Sequence, residues 1–131
     1  MLFGGSQLVW GQKQKNEVTI TSWDYVGNKI KVRGTSQIHD GSQIWVFRSY
    51  KLSDNLWLPQ QKPSVDKNGT WQASVDPPDN GSFKILAATF NLEVAKEIQK
   101  IRNSINEDAT LVGISLPETT SNKAIVTVKR N

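Results

Sequence analysis

The 131-residue chain predicts a small β-sandwich, and three stretches carry the prediction. Asn68-Gly69, a dipeptide suited to positive φ, is followed at once by Thr70-Trp71-Gln72-Ala73-Ser74-Val75, with apolar side chains on alternate positions. That is a strand entered from a tight turn. Ile30-Lys31-Val32-Arg33-Gly34-Thr35-Ser36 alternates apolar with basic or polar side chains, as a sheet with one wet face requires. Ala124-Ile125-Val126-Thr127-Val128 supplies a closing strand, with Ile125 and Thr127 facing opposite to Ala124, Val126 and Val128.

The remaining elements follow in order. Residues 1–16 read as a flexible lead or linker and residues 17–131 as the β-sandwich domain. Met1 to Gly11 is apolar but lacks the basic start and continuous hydrophobic run of a signal peptide, and Gln12 to Asn16 is polar. Glu17 to Trp23 is the first strand, with Val18, Ile20 and Ser22 on one face. Val26-Gly27-Asn28 turns the chain into the second strand, which points Lys29, Lys31 and Arg33 outward. His39-Asp40-Gly41 is the next turn. Gln43 to Tyr50 is apolar without alternation as far as Phe47, which suits a strand covered on both faces. After a turn at Ser53-Asp54-Asn55, Leu56 to Gln60 reads as an edge strand, because Pro59 cannot donate to a central ladder. Phe83 to Phe90 is a second doubly covered strand, after the loop from Asp76 to Ser82. The period then changes: Val94, Ala95, Ile98, Ile101, Arg102 and Ile105 fall at helical spacing behind Asn91 as N-cap. This predicts one amphipathic helix over 92–105, with Glu93 and Glu97 toward its start and Lys100 and Arg102 toward its end. Leu111 to Leu116 is a short extended piece closed by Pro117, and Lys123 to Arg130 is the last strand.

Composition narrows the function. The size suits one domain, which buries roughly 65–70% of its unfolded surface and so builds a core without staples. There is no cysteine, which excludes disulfides, thiolate metal sites and cysteine nucleophiles. No stretch approaches the roughly 20 apolar residues of a transmembrane helix. The net charge of +4 is scattered along the chain, whereas nucleic-acid binders concentrate charge on one face. Nucleic acid would need Lys29, Lys31, Arg33 and Arg48 to share a face with Tyr50 or Trp57.

The Val-Arg-Gly-Thr-Ser strand, Asn-Gly-Thr-Trp, the Phe-Lys-Ile-Leu-Ala strand and the terminal Val-Thr-Val together resemble bacterial immunoglobulin-like domains. The resemblance covers Glu17 to Asn131. It implies an immunoglobulin-like β-sandwich of about seven strands, departing from the pattern by one helix between the last strands. More loosely, Ile44-Trp45-Val46, Trp57-Leu58-Pro59-Gln60 and Asn68-Gly69-Thr70-Trp71 are similar to accessory sandwich domains of multidomain prokaryotic proteins. The second likeness implies an accessory or interaction role; the compartment is left open, a bacterial extracytoplasmic setting being slightly favoured over a cytoplasmic one.

No reaction chemistry is assembled in the sequence. The single histidine, His39, lies in a turn with no Gly-x-Ser-x-Gly elbow elsewhere. Zinc ligands are too few. The aspartates sit mostly in turns, where they accept backbone N–H groups, and Asp66-Lys67-Asn68-Gly69 departs from a calcium loop in glycine position and closing glutamate. No enzyme, cofactor or metal is expected. The five tryptophans are the functional lead. Trp45 and Trp71 read as core. Trp57 on the proline-marked edge, Tyr50 nearby, and Trp23 with Tyr25 at a strand end are the aromatics within a partner's reach. The structural alternative is that Trp57 covers the edge of the core. The expected function is a non-catalytic accessory module for protein–protein recognition or assembly. Its contact lies on the helix face of Lys96, Lys100 and Arg102 or on the Trp57 edge. The alternative is a carbohydrate-binding module that uses edge aromatics.

Overall fold

A computed structural model describes residues 15–52, 55–107 and 113–129. Most of the expected lead, turn residues 53 and 54, the start of the 111–116 piece and Arg130 lie outside them. The order is β1 (Glu17–Val26), β2 (Lys29–Gln37), β3 (Gln43–Arg48), β4 (Leu58–Pro59), β5 (Ser64–Val65), β6 (Thr70–Val75), β7 (Phe83–Phe90), α1 (Leu92–Glu107) and β8 (Ala124–Val128). The strands form two four-stranded antiparallel sheets, ordered β1-β2-β6-β5 and β4-β3-β7-β8.

Two apolar clusters make three layers. Between the sheets lie Val18, Ile30, Val32, Ile44, Val46, Trp71, Val75, Phe83, Ile85 and Val128. On the far side of the second sheet, Trp45, Phe47, Trp57, Leu86, Ala88 and Phe90 meet Ala95 and Ile98 of α1. The near-continuous apolar runs of β3 and β7 therefore have the cause the sequence suggested: each strand is desolvated on both faces. Asn91 caps α1 as expected. Its Oδ1 accepts the Val94 N–H at 2.9 Å and its carbonyl accepts the Ala95 N–H at 2.9 Å. Fully burying Ile98 contributes on the order of 2 kcal/mol, more than any cap or charge on the helix.

The first strand runs three residues further than its periodicity suggested, and a bulge changes its inward face. Ile20 pairs with Gly34 and Ser22 with Arg33, so Thr21 has no partner across the ladder. Beyond that point Ser22 faces out, while Trp23 and Tyr25 stand opposite the core residues Val32 and Ile30. The expectation of Val18, Ile20 and Ser22 on one face fails for Ser22, because period 2 does not survive an inserted residue.

Gly34 permits this geometry. A Cβ there would lie 1.8 Å from the Thr19 carbonyl oxygen and 2.6 Å from the Trp71 ring. The Trp71 indole occupies that space, fully buried, and donates from Nε1 to the Thr35 carbonyl at 3.1 Å. Gly69, at φ 86°, brings its carbonyl to the N–H and hydroxyl of Ser36 at 2.8 and 2.9 Å. Other element extents differ from expectation, the third strand ending at Arg48 and the last spanning Ala124–Val128. A strand at Ser64–Val65 pairs with Gln72 and Trp71, which the sequence did not signal. Only Leu58–Pro59 of the expected edge strand is regular, with Trp57 bridging to Ile114. The helix continues to Glu107, so Lys100 and Arg102 lie before its last turn. Asn16, placed at the end of the linker, is buried and part of the folded body.

Gly34→Ala is expected to lower stability by about 3 kcal/mol, the upper range for overpacking a core, as a urea midpoint shift at unchanged slope. Stability equal to the parent would refute the packing of Trp71 on Gly34.

Candidate functional site

The outer face of the β1-β2-β6-β5 sheet is entirely polar over its central rows. The register sets Thr19, Thr35 and Thr70 side by side, then Ser22, Arg33, Gln72 and Ser64, then Asp24, Lys31 and Ser74. All are exposed except Lys31 and Ser74, which are half-buried. Their outward direction follows from alternation with Ile30, Val32, Trp71 and Ala73, which the core claims. Thr19 and Thr35 join hydroxyl to hydroxyl at 2.6 Å.

A groove of about 360 Å³ lies over β6 on this face, lined by Arg33, Ser64, Val65, Asp66, Thr70, Trp71 and Gln72. A second hollow of about 180 Å³ shares Ser64 and Gln72 with it and adds Lys31, Gln61, Lys62 and Ser74. Three cations and one carboxylate thus line the two hollows, and a second carboxylate, Asp24, stands across the ladder from Lys31. The lining carboxylate, Asp66, is engaged in its own turn, accepting the Asn68 and Thr70 N–H groups at 2.9 and 3.0 Å. No ion pair involves Lys31, Arg33 or Lys62 among the described residues, whereas Lys29 pairs with Asp76. The outward lysines and arginine were legible in the alternation of β2. Gln61, Lys62, Ser64, Gln72 and Ser74 were not singled out, because only the pairing of the two-residue β5 gathers them.

The aromatics expected to reach a partner are scattered. Trp57 is 7% exposed and packs in the cluster under α1, with Lys84 Nζ 5.2 Å from its ring centroid. The expectation of an accessible Trp57 is corrected: its bridge to Ile114 draws the 113–117 segment over it, and it covers the core edge instead. Tyr50 is half-buried beneath the Arg48 guanidinium, 4.5 Å from its ring centroid. Trp23 is half-buried and meets Tyr25 edge-on at 6.2 Å, and Tyr25 is 44% exposed. On α1, Lys96 and Lys100 are exposed, Lys100 pairing with Glu97 at 3.3 Å, and Arg102 is half-buried. Nor do the groups needed for nucleic acid share a face. Lys29, Lys31 and Arg33 lie outside the first sheet, Trp57 lies beyond the second, and Arg48 is buried on the same face of β3 as Ile44 and Val46. Burial pushes the Arg48 pKa down, opposed by Tyr50, Asp76 and Asp79, and its Nε has no hydrogen-bond partner among the described residues.

The densest polar cluster is structural. Asn16 Nδ2 donates to Asp40 Oδ1 at 2.9 Å and approaches the Thr120 and Thr89 hydroxyls at 3.3 and 3.4 Å, while its Oδ1 accepts the His39 N–H at 2.8 Å. Hydrogen bonds from the Ser42 side chain, the Asn16 amide and the Ser42 N–H lower the Asp40 pKa from 3.8 to about 2. Every member faces another protein group, and the described residues contain no group of three or more His, Asp or Glu placed to hold a metal. No described helix is long and apolar enough to cross a membrane.

Two outcomes follow. Trp57→Ala is expected to cost about 3–5 kcal/mol of unfolding free energy, as a buried aromatic does; a loss below about 1 kcal/mol would return Trp57 to the surface. Because Asp40 is depressed in the fold, its stabilisation is present above pH 4 and disappears as pH falls toward 2. The urea midpoint should therefore fall more steeply between pH 4 and 2 in the parent than in Asp40→Asn; equal slopes would refute the linkage. Comparison of the chain with protein-family models, curated proteins and solved structures found no match.

Proposed function

We propose that this chain is a non-catalytic interaction module of immunoglobulin-like architecture that contacts a protein partner through the outer face of the β1-β2-β6-β5 sheet. The carrying observation is the asymmetry of the sandwich. The second sheet is covered on its outer side by α1 and the 113–117 segment, while the first sheet presents a polar, grooved face to solvent. The strand order supports the architecture. Lettering the strands A, B, C, C′, D, E, F and G in chain order gives A-B-E-D against C′-C-F-G, with the helix between F and G. Those are the neighbours an immunoglobulin-like sandwich has, with one added C′ strand.

This face replaces both contacts expected from sequence. Trp57 is covered, and on the helix Lys100 already pairs with Glu97. The glycan alternative has less support, since it needs an exposed ring to stack on a sugar, and the exposed aromatic among the described residues is Tyr25 alone.

The test is affinity capture from an extract of the producing cells, with the parent and K31E/R33E immobilised in parallel and both checked by circular dichroism. A protein retained by the parent and lost from the variant is the expected result. Equal retention would move the contact off this face, and no retained protein would overturn the reading.

A further inference from the structure

We propose that the groove over β6 binds an extended acidic peptide segment; this rests on the reading that the outer face of the first sheet is the contact surface. Charge selects the sign of the ligand. Lys31, Arg33 and Lys62 line the two joined hollows against the single carboxylate of Asp66, whose Oδ1 is held by two backbone N–H groups of its own turn. A cationic chain would meet three like charges, of which only Lys31 has a carboxylate, Asp24, across the ladder from it. An anionic one supplies carboxylates where they stand.

Shape and chemistry select a peptide over other polyanions. Sugars and nucleobases bind well where a ring face is offered, and this groove offers none. Its one aromatic, Trp71, is fully buried and offers no ring face to solvent. In place of rings the floor carries Gln72, flanked by Ser64, Ser74 and Thr70. These side chains donate and accept, as peptide N–H and C=O groups require. The lining runs along β6 from Ser74 to Thr70, about 13 Å at the rise of an extended chain, which is the reach of four to five peptide residues. Lys31 and Arg33 are two residues apart on β2, about 7 Å along the strand. An extended peptide with acidic residues on alternate positions repeats its carboxylates at the same distance.

The experiment measures fluorescence anisotropy of a fluorescein-labelled peptide of six Glu-Ser repeats against the full chain. Competitors are a Lys-Ser peptide, heparin and an oligothymidylate. Saturable binding that ignores the Lys-Ser peptide is expected. Kd should rise about tenfold or more in the K31Q/R33Q/K62Q variant, each surface charge carrying up to a few-fold, and change less than twofold in K96Q/K100Q on the helix. The proposal falls if the Glu-Ser peptide does not bind or if the triple variant, folded by circular dichroism, binds it equally. It also falls if heparin or the oligonucleotide binds more tightly, which would make the groove a general polyanion site. Failure here with capture still abolished by K31E/R33E would remove only the acidic-peptide chemistry; failure of both would remove the contact surface itself.

Discussion

Both faces of the β4-β3-β7-β8 sheet are apolar, and the larger features of the molecule follow from covering them. β3 and β7 place Ile44, Val46, Ile85 and Ala87 against the first sheet and Trp45, Phe47, Leu86 and Ala88 against the helix. A single facing sheet satisfies half of this demand. The other half needs a cover, and the connection between β7 and β8 provides it as α1 and the segment that follows. A tight hairpin there would leave the second cluster in water. The same constraint leaves the two sheets unequal: the outer side of the second is covered over β3, β4 and β7, with Ile125 of β8 49% exposed, and the outer side of the first faces solvent.

Side-chain amides and hydroxyls close the ends and flanks where strand pairing stops. Asn122 presents its amide to Val18 as a neighbouring strand would, accepting the Val18 N–H at 2.9 Å and donating to its carbonyl at 2.8 Å. On the opposite flank, Gln60 receives the Asp76 N–H at 2.8 Å and gives its own N–H to the Val46 carbonyl at 2.8 Å. Ser49, fully buried, pairs its N–H with the Lys84 carbonyl at 3.0 Å and accepts the Lys84 N–H on Oγ at 2.9 Å. A buried backbone group without a partner costs about 1–3 kcal/mol. These residues therefore stabilise chiefly by preventing an orphan, and the Asn16 cluster does the same where the 120–122 segment meets β1 and β7. The exceptions are the Trp45 indole N–H and Arg48 Nε, which have no partner among the described residues.

The tryptophans show how far residue type alone carries. All five are amphipathic anchors by composition, yet the four described ones have distinct duties. Trp71 fills the space that Gly34 leaves between the sheets, Trp45 and Trp57 join one cluster beneath the helix, and Trp23 seals the β1 flank. Trp57 lies in a proline-marked segment flanked by Asn55 and Gln60 and so reads as an edge aromatic; it is one, but the edge is roofed. Covering a sheet edge with a loop also blunts its tendency to pair with another chain.

By itself the sequence determined what depends on a few consecutive residues. It marked the alternation that turns Lys31 and Arg33 outward, the unbroken runs of two doubly covered strands, the Asn68-Gly69 turn and the Asn91 cap. Each is a local steric or hydrogen-bonding preference, written in neighbouring side chains. Only the tertiary structure decided the shift at Thr21, the burial of Trp57, the keystone place of Asn16 and the assembly of a groove from Lys62, Ser64 and Gln72 beside Arg33. A bulge is permitted by a glycine on the partner strand. Burial depends on which distant segment lands on a residue. A groove depends on the spacing of strands that are remote in sequence. Those are properties of contacts between segments, which no period within one segment records.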